Sequence, residues 1–172
     1  INGFDHLTTP GCPSLPVKNL LLALPPQAML ISVEVQIGGT VQLPGVYQIL
    51  PASIPLPYTT SDTRQNPNEK NLTCYNSNNA YPSDALTIQG RGSLRQYQYV
   101  SISICPFIYY PHSGELFYST NAEITLDCIP DNPPEDQQLT GESNADLLAK
   151  TMFMNYDQIK QYYRPIESIP QI

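Results

Sequence analysis

The stretch that decides the fold runs Arg91-Gly92, then Tyr97-Gln-Tyr-Val-Ser-Ile-Ser-Ile-Cys105, then Pro106-Phe-Ile-Tyr-Tyr-Pro111-His-Ser-Gly114-Glu-Leu116, and closes with Ala122-Glu-Ile-Thr-Leu-Asp-Cys128. Val100, Ile102 and Ile104 alternate with Ser101 and Ser103, and Ala122, Ile124 and Leu126 alternate with Glu123, Thr125 and Asp127. A period of two places each apolar set on one face, so both segments read as strands with one buried side. Ser113-Gly114 between them signals a turn. A two-residue loop there would set Ile104 against Glu123; a three-residue loop, Ser113 to Glu115, pairs Ile104 with Ile124 and Ile102 with Leu126. The buried faces select the longer loop, with Gly114 or a neighbour in the left-handed conformation it needs.

Working outward, Asn19 to Leu24 is a short apolar strand bracketed by Pro16 and Pro25-Pro26, as expected of a first strand rather than a helix. Met29, Ile31, Val33, Val35 and Ile37 alternate with Leu30, Ser32, Glu34 and Gln36, which predicts another strand buried on its odd-numbered face. Gly38-Gly39 is read as its end, with Thr40 to Leu43 returning as a hairpin partner. Val46 to Leu50 and Leu86 to Ile88 are further strand candidates. Pro51 to Asn79, rich in Pro, Asn, Ser and Thr, reads as a long exposed connection. After Cys128 the pattern changes. Pro130 to Glu142 has the composition of an acidic, Pro-rich linker, and Ser143 caps a predicted helix over Asn144 to Met154, with Leu147, Leu148, Thr151 and Met154 on one side. Gln158 to Tyr163 is a second helical turn. The expected organisation is a β domain at 1–129, a linker at 130–142 and a helical tail at 143–172.

Only 13% of the 172 residues are charged, 18 are proline and 12 are tyrosine, a balance that suits an all-β extracellular module better than a cytosolic helical enzyme. A net charge of -7 supplies no basic patch for nucleic acid or an anionic membrane. No apolar run is long enough to span a bilayer. A start at Ile1 suggests an excised segment or a chain whose signal peptide is gone. Cys12, Cys74, Cys105 and Cys128 contain no Cys-x-x-Cys pair, so they are candidate disulfides or buried thiols and not a zinc ribbon. The register above disfavours Cys105 with Cys128, because it sets Cys128 opposite Val100. Asn71-Leu72-Thr73 is a candidate glycosylation site.

The sequence offers no catalytic constellation by spacing. His6 lies near the chain start and His112 on the hairpin tip, so neither partners a cysteine by sequence, and two distant histidines do not make a metal site. Glu34, Glu123 and Asp127 fall on polar strand faces, and no glycosidase carboxylate pair follows from their spacing. Gly90-Arg91-Gly92 is too short to cradle a phosphate. Tyr97, Tyr99, Tyr109 and Tyr110 would suit a sugar-stacking platform, although cross-strand aromatic packing explains them more simply. No cofactor is expected, and the segment reads as non-catalytic and monomeric.

Two motifs carry a family resemblance. Arg91-Gly92 ahead of a strand, followed by Pro106-x-x-Tyr109-x-Pro111-x-x-Gly114-Glu115-Leu116, resembles the end of the N-terminal prodomain of gingipain-type cysteine peptidases. Gly11-x-Pro13-x-Leu15-Pro16-Val17 ahead of an apolar strand is similar to the opening of the same prodomains, in the same order. The resemblance spans Gly11 to Cys128. It implies a two-sheet antiparallel β-sandwich, jelly-roll or immunoglobulin-like, with a short helical C-terminal tail. It also implies a secreted or cell-surface precursor in which this segment binds the following caspase-like peptidase domain in cis, as intramolecular inhibitor and folding aid. An inhibitor of an arginine-preferring peptidase would present an arginine, whose planar fork pairs with a carboxylate. Arg64, Arg91 and Arg95 are the candidates, Arg91 by its match to the family's Arg-Gly and Arg64 by its long loop. Release needs a cut in the C-terminal region, where Lys150 and Lys160 are the accessible basic residues and Pro165 spoils Arg164. The competing readings are a non-catalytic cell-surface sandwich that binds carbohydrate or protein through its loops, and a structural spacer.

Overall fold

The computed structural model describes residues 3–53, 66, 68–130 and 143–163. Among them the strands are β1 (Asp5–His6), β2 (Pro16–Ala23), β3 (Ala28–Leu43), β4 (Leu86–Leu94), β5 (Tyr97–Ile104), β6 (Phe107–Tyr110) and β7 (Glu115–Pro130). The helices are α1 (Leu72–Tyr75), α2 (Ser143–Met152) and α3 (Tyr156–Ile159), with a 3-10 turn at Lys160–Tyr162. The strands make two antiparallel sheets, one in the order β1-β2-β5-β4 and one in the order β3-β7-β6. This is the mostly-β, two-sheet architecture with short C-terminal helices that the sequence predicts.

The alternation of β5 holds, with Val100, Ile102 and Ile104 buried. The expected pairing does not. β5 and β7 belong to different sheets, so Ile104 does not face Ile124, Ile102 does not face Leu126, and Cys128 does not face Val100. Pro106 supplies the reason, since it has no N–H to continue a ladder. The preceding Cys105 N–H donates instead to Ala85 O at 2.8 Å, and the Pro106 carbonyl accepts from Ser119 N at 2.8 Å. The hairpin is therefore built from β6 and β7, with Phe107 opposite Tyr118 and Tyr110 opposite Glu115. That register leaves Pro111, His112, Ser113 and Gly114 as the connection, one residue longer than the expected loop. Gly114 does take the left-handed conformation, at φ 73°, and its N–H donates to Tyr110 O at 2.8 Å.

β3 also departs from its expected pattern. Leu30 and Val33 are buried while Met29 and Ile31 are exposed, so the alternation shifts phase at Ser32, whose hydroxyl donates to the Asp127 carboxylate at 2.9 Å. The strand does not end at Gly38-Gly39. It continues to Leu43, and the Thr120 hydroxyl on β7 donates to Gly39 O at 3.1 Å. Val46 to Leu50, a strand candidate, alternates in exposure with Val46 and Leu50 outward but forms no strand; its backbone is held piecewise by Tyr47 N to Gly114 O and Ser14 N to Leu50 O.

The chain divides into two compact units. The first comprises the described residues within 1–18, 35–86 and 104–123, and its core gathers Leu15, Val17, Cys105, Phe107, Tyr109 and Leu116. The second comprises those within 19–34, 87–103 and 124–172, and its core gathers Ala23, Tyr97, Ala149, Phe153, Tyr156, Ile159 and Tyr163. The helical tail thus supplies most of the second core. α2 sits on the sheet through Ala145 and Ala149, small enough for close approach, while Leu147 and Leu148 face solvent. Leu147, Leu148 and Thr151, the predicted apolar side, are exposed rather than packed, and Met154 lies beyond the end of α2 and is exposed as well.

Candidate functional site

In the first unit, three separated segments converge on the ends of the long Pro51–Asn79 connection. Cys12 and Cys74 form a disulfide with their Cα atoms 5.6 Å apart. Gly11 N donates to Ala52 O at 2.9 Å, Ala52 N to Cys12 O at 2.8 Å, and Asn71 N to Gly11 O at 2.9 Å. Both ends of the connection are therefore pinned to the same short segment. Asn71 caps α1, its Oδ1 accepting from Thr73 N at 3.0 Å, and is exposed. Tyr75 donates its hydroxyl to Ile49 O at 2.7 Å; burial pushes this phenol up to about 12. Arg64 lies outside the described residues.

The other two candidate arginines are in the second unit. Arg91, on the edge strand β4, donates from Nη2 to Leu30 O on β3 at 3.1 Å, tying edge strands of the two sheets. Its neighbour Gly92 lies under the Tyr99 ring, where a Cβ would come within 2.6 Å of ring atoms. The Arg-Gly pair thus has a structural explanation: a guanidinium anchor followed by a residue without a side chain beneath an aromatic. Arg95 occupies the tight turn between β4 and β5, exposed and at φ 52°.

No described thiol has the environment of a nucleophile. Cys105 is buried and unbridged, and burial pushes its thiol up to about 11, away from the thiolate that nucleophilic attack requires. Cys128 is half-buried and unbridged; burial, and then Asp127, push its thiol up against an opposing effect of Arg91. His112 is exposed on the β6–β7 turn and His6 on β1. Among the described residues no cluster of His, Cys, Asp or Glu could hold a metal, and no helix is long and apolar enough to cross a membrane. Tyr97 and Tyr109 are buried in separate cores, which accounts for them by packing and removes them from any stacking platform.

The tail is sewn to the sheet by polar contacts that sequence reading missed. The Tyr97 hydroxyl donates to the Asp146 carboxylate at 2.6 Å; burial and that bond push the phenol far above its ordinary range. Asn155 reads both backbone groups of Ala23, accepting from its N–H at 2.8 Å and donating to its carbonyl at 2.9 Å. Met154 N donates to Leu21 O at 3.0 Å, and the Tyr163 hydroxyl to Leu24 O at 2.7 Å. β1 pairs only with Pro16 and Val17, so the tail covers the part of β2 that β1 leaves open. The recoverable signal was Ala145, Ala149, Phe153, Tyr156, Ile159 and Tyr163, which recur every three or four residues. Lys150 and Lys160 are exposed on this tail, Lys160 with its ammonium 5.9 Å from the centre of the Tyr156 ring.

Comparison with known proteins gives a consistent result. Residues 1–163 match the family model Propeptide_C25. The fold is similar to a chain in the complex of Porphyromonas gingivalis RgpB pro- and mature domains, with a TM-score of 0.61 at 17% identity, over 90% of this chain and 78% of that one. It is also similar to a chain in a structure of gingipain K from Porphyromonas gingivalis that addresses zymogenic latency, with a TM-score of 0.54 at 19% identity, over 75% of this chain and 71% of that one. No curated protein matches.

Proposed function

Because the chain belongs to the C25 (gingipain) propeptide family, with the family model matching residues 1–163, we propose that it holds the caspase-like cysteine peptidase domain of its precursor latent in cis and assists its folding. The propeptide is not itself catalytic, and its family implies a secreted peptidase precursor. The observation that carries the proposal is the extent of the match, which takes in both sheets and the helical tail. The Cys12–Cys74 disulfide supports an oxidising, exported setting, secreted or at the cell surface.

An inhibitor of this kind presents a side chain to the peptidase's specificity pocket from a scaffold that does not yield. Arg91 is engaged with Leu30 O, which favours an anchoring role for it. Arg95 on its tight turn, and Arg64 in the connection whose ends are tied at Gly11 and Cys12, are the residues we propose for insertion. For release we propose a cut after Lys160 before one after Lys150. A peptidase binds extended chain, and Lys150 lies within α2 beside the wholly buried Ala149, whereas Lys160 begins a single 3-10 turn.

The test is to express the peptidase domain of the same precursor and titrate it with this purified segment. Stoichiometric loss of activity, relieved by Arg64→Ala or Arg95→Ala with the fold intact, is the expected result. A peptidase that the segment neither binds nor slows refutes the proposal.

A further inference from the structure

We propose that the Cys12–Cys74 disulfide lets the propeptide survive a cut in its own long connection: cleaved after Arg64, it stays one covalent, folded and inhibitory molecule. This rests on the propeptide reading above and deepens it by choosing between the two arginines proposed for insertion.

An arginine held in a peptidase's specificity pocket brings the bond that follows it to the reacting groups, so such an inhibitor is open to hydrolysis by its own target. Hydrolysis of the Arg64–Gln65 amide adds one water and leaves a carboxylate on Arg64 and an amine on Gln65; no other bond changes. That amide lies between Cys12 and Cys74, inside the ring the disulfide closes. The bond after Arg95 lies outside the ring, and Cys105 and Cys128 are unbridged, so a cut there parts the chain with no covalent link left between the halves. Of the two arginines, only Arg64 can be cut without loss.

The ends of the connection are held independently of the chain between them. Going out, Pro51 bridges Pro13, Ala52 exchanges hydrogen bonds with Gly11 and Cys12, and the chain emerges from buried Ala52 to exposed Ser53. Coming back, Asn71 N donates to Gly11 O, and the backbone passes so close that a Cβ on Gly11 would lie 3.1 Å from Glu69 O. Cys12 then receives Cys74, and the Tyr75 hydroxyl reaches Ile49 O. The two ends also touch, Ser53 Oγ donating to Asn68 Oδ1 at 3.3 Å. What a cut frees is therefore only the stretch between Ser53 and Asn68.

The topology makes the covalent link necessary. A cut after Arg64 assigns β1, β2 and β3 to one fragment and β4 to β7 with the helices to the other. Each sheet then contains one junction between fragments, β2 with β5 and β3 with β7. Unlinked, the halves would associate as two molecules and part on dilution. Linked at Cys12–Cys74, they meet at an effective concentration of about millimolar whatever the dilution.

The experiment inserts the recognition sequence of a site-specific endopeptidase between Ser61 and Asp62, leaving Arg64 intact, in the parent and in Cys12→Ser with Cys74→Ser. Each form, uncut and cut, is followed by thermal unfolding at several protein concentrations and titrated against the separately expressed peptidase domain. The cut disulfide form should unfold at a temperature independent of concentration and inhibit within about ten-fold of its uncut form. The cut serine form should unfold at lower temperature on dilution and lose about a hundred-fold or more in inhibition. Where the serine form does not fold uncut, adding reductant to the cut parent makes the same comparison. A cut disulfide form that unfolds or stops inhibiting overturns the proposal, as does a cut serine form that matches it, or an inserted site that resists cleavage in the folded segment. All three leave the propeptide reading standing. On long incubation with the peptidase, the parent should be cut first after Arg64, with fragments that separate only on reduction; a first cut after Arg95 overturns the choice of arginine. An uncut parent that does not inhibit overturns the propeptide reading, and this proposal with it.

Discussion

Asn155→Ala is the substitution that most directly probes why the tail belongs to the fold. The Asn155 amide satisfies the N–H of Ala23 at 2.8 Å and its carbonyl at 2.9 Å, and Ala23 is 0% exposed. Truncation removes two neutral hydrogen bonds and leaves two buried backbone groups unpaired. Each such group costs about 1–3 kcal/mol when water cannot replace the partner. Asn155 is itself half-buried, so some water reaches the gap, and the expected loss is about 2–4 kcal/mol in total. For a domain whose whole stability is about 5–15 kcal/mol, that is a large share. At a typical urea slope the unfolding midpoint falls by about 1–2 M. The Ala23 amide should also exchange its hydrogen faster than in the parent. Asn155→Asp sharpens the test. An ionised carboxylate keeps the acceptor for Ala23 N–H but faces the Ala23 carbonyl without a proton to give, so this variant is destabilised at neutral pH. It recovers as pH falls through the carboxylate range near about 4, where the acid form can donate. An Asn155→Ala protein within about 0.5 kcal/mol of the parent, with an Ala23 amide exchanging no faster, would refute the reasoning.

Three further outcomes follow from the same structure. Reducing Cys12–Cys74, a bridge across a sequence separation of 62, should lower stability by about 4 kcal/mol through release of loop-closure entropy in the unfolded chain; denaturation with and without reductant measures it, and a change under about 1 kcal/mol contradicts the entropic account. Stability should fall on the alkaline side. Cys105 at about 11 and Tyr75 and Tyr163 at about 12 are all raised in the folded state, so the protonated groups favour the fold. Their contribution is complete below the ordinary values of 9.0 and 10.0 and is lost as pH rises through about 11 and 12. Urea midpoints that stay flat across that window would contradict it. Gly92→Ala places a Cβ within 2.6 Å of the Tyr99 ring, which must then leave its packing against Phe153 at 5.7 Å; a loss of about 1–3 kcal/mol is expected by thermal unfolding, and a neutral outcome shows that the ring moves without penalty.

Local chemistry was legible where it acts through neighbours in sequence. Gly114 needed only its turn context, and Val100, Ile102 and Ile104 only their period. The same reading failed where a long-range event interrupts a pattern. A period carried through Cys105-Pro106 treats the two strands as one hairpin, but a proline cannot serve the ladder and the chain changes sheets there, so Phe107 meets Tyr118 where the continued register would set it against Asn121. On β3 the apolar run from Met29 to Ile37 is regular in letters, yet the buried face switches at Ser32. Arg91 resembles a functional arginine because its partner, Leu30, is sixty-one residues away. The disulfide partner of Cys12 is likewise invisible to spacing. On α2, hydropathy ranks leucine above alanine, while packing ranks by room. Ala149 is buried beside Tyr97 and Phe153, while Leu147 and Leu148 stay exposed.

That last inversion bears on where the propeptide ends. A helix predicted from composition alone belongs equally well to a linker or to the next domain. Here Ala149, Phe153, Tyr156, Ile159 and Tyr163 form most of one core, and Asn155 completes the backbone pairing of β2. The tail is therefore part of a packed core of the propeptide, in agreement with a family match that extends to residue 163. The same helix turns Leu147 and Leu148 outward while Ala145 and Ala149 are buried. A cut near Lys150 would remove Phe153, Tyr156, Ile159 and Tyr163 from the core along with whatever follows. A cut after Lys160 would remove only Tyr163 and spare the rest. Separation of an intact propeptide thus favours the later site, while cleavage at the earlier one dismantles the scaffold that holds any inhibitory arginine in place.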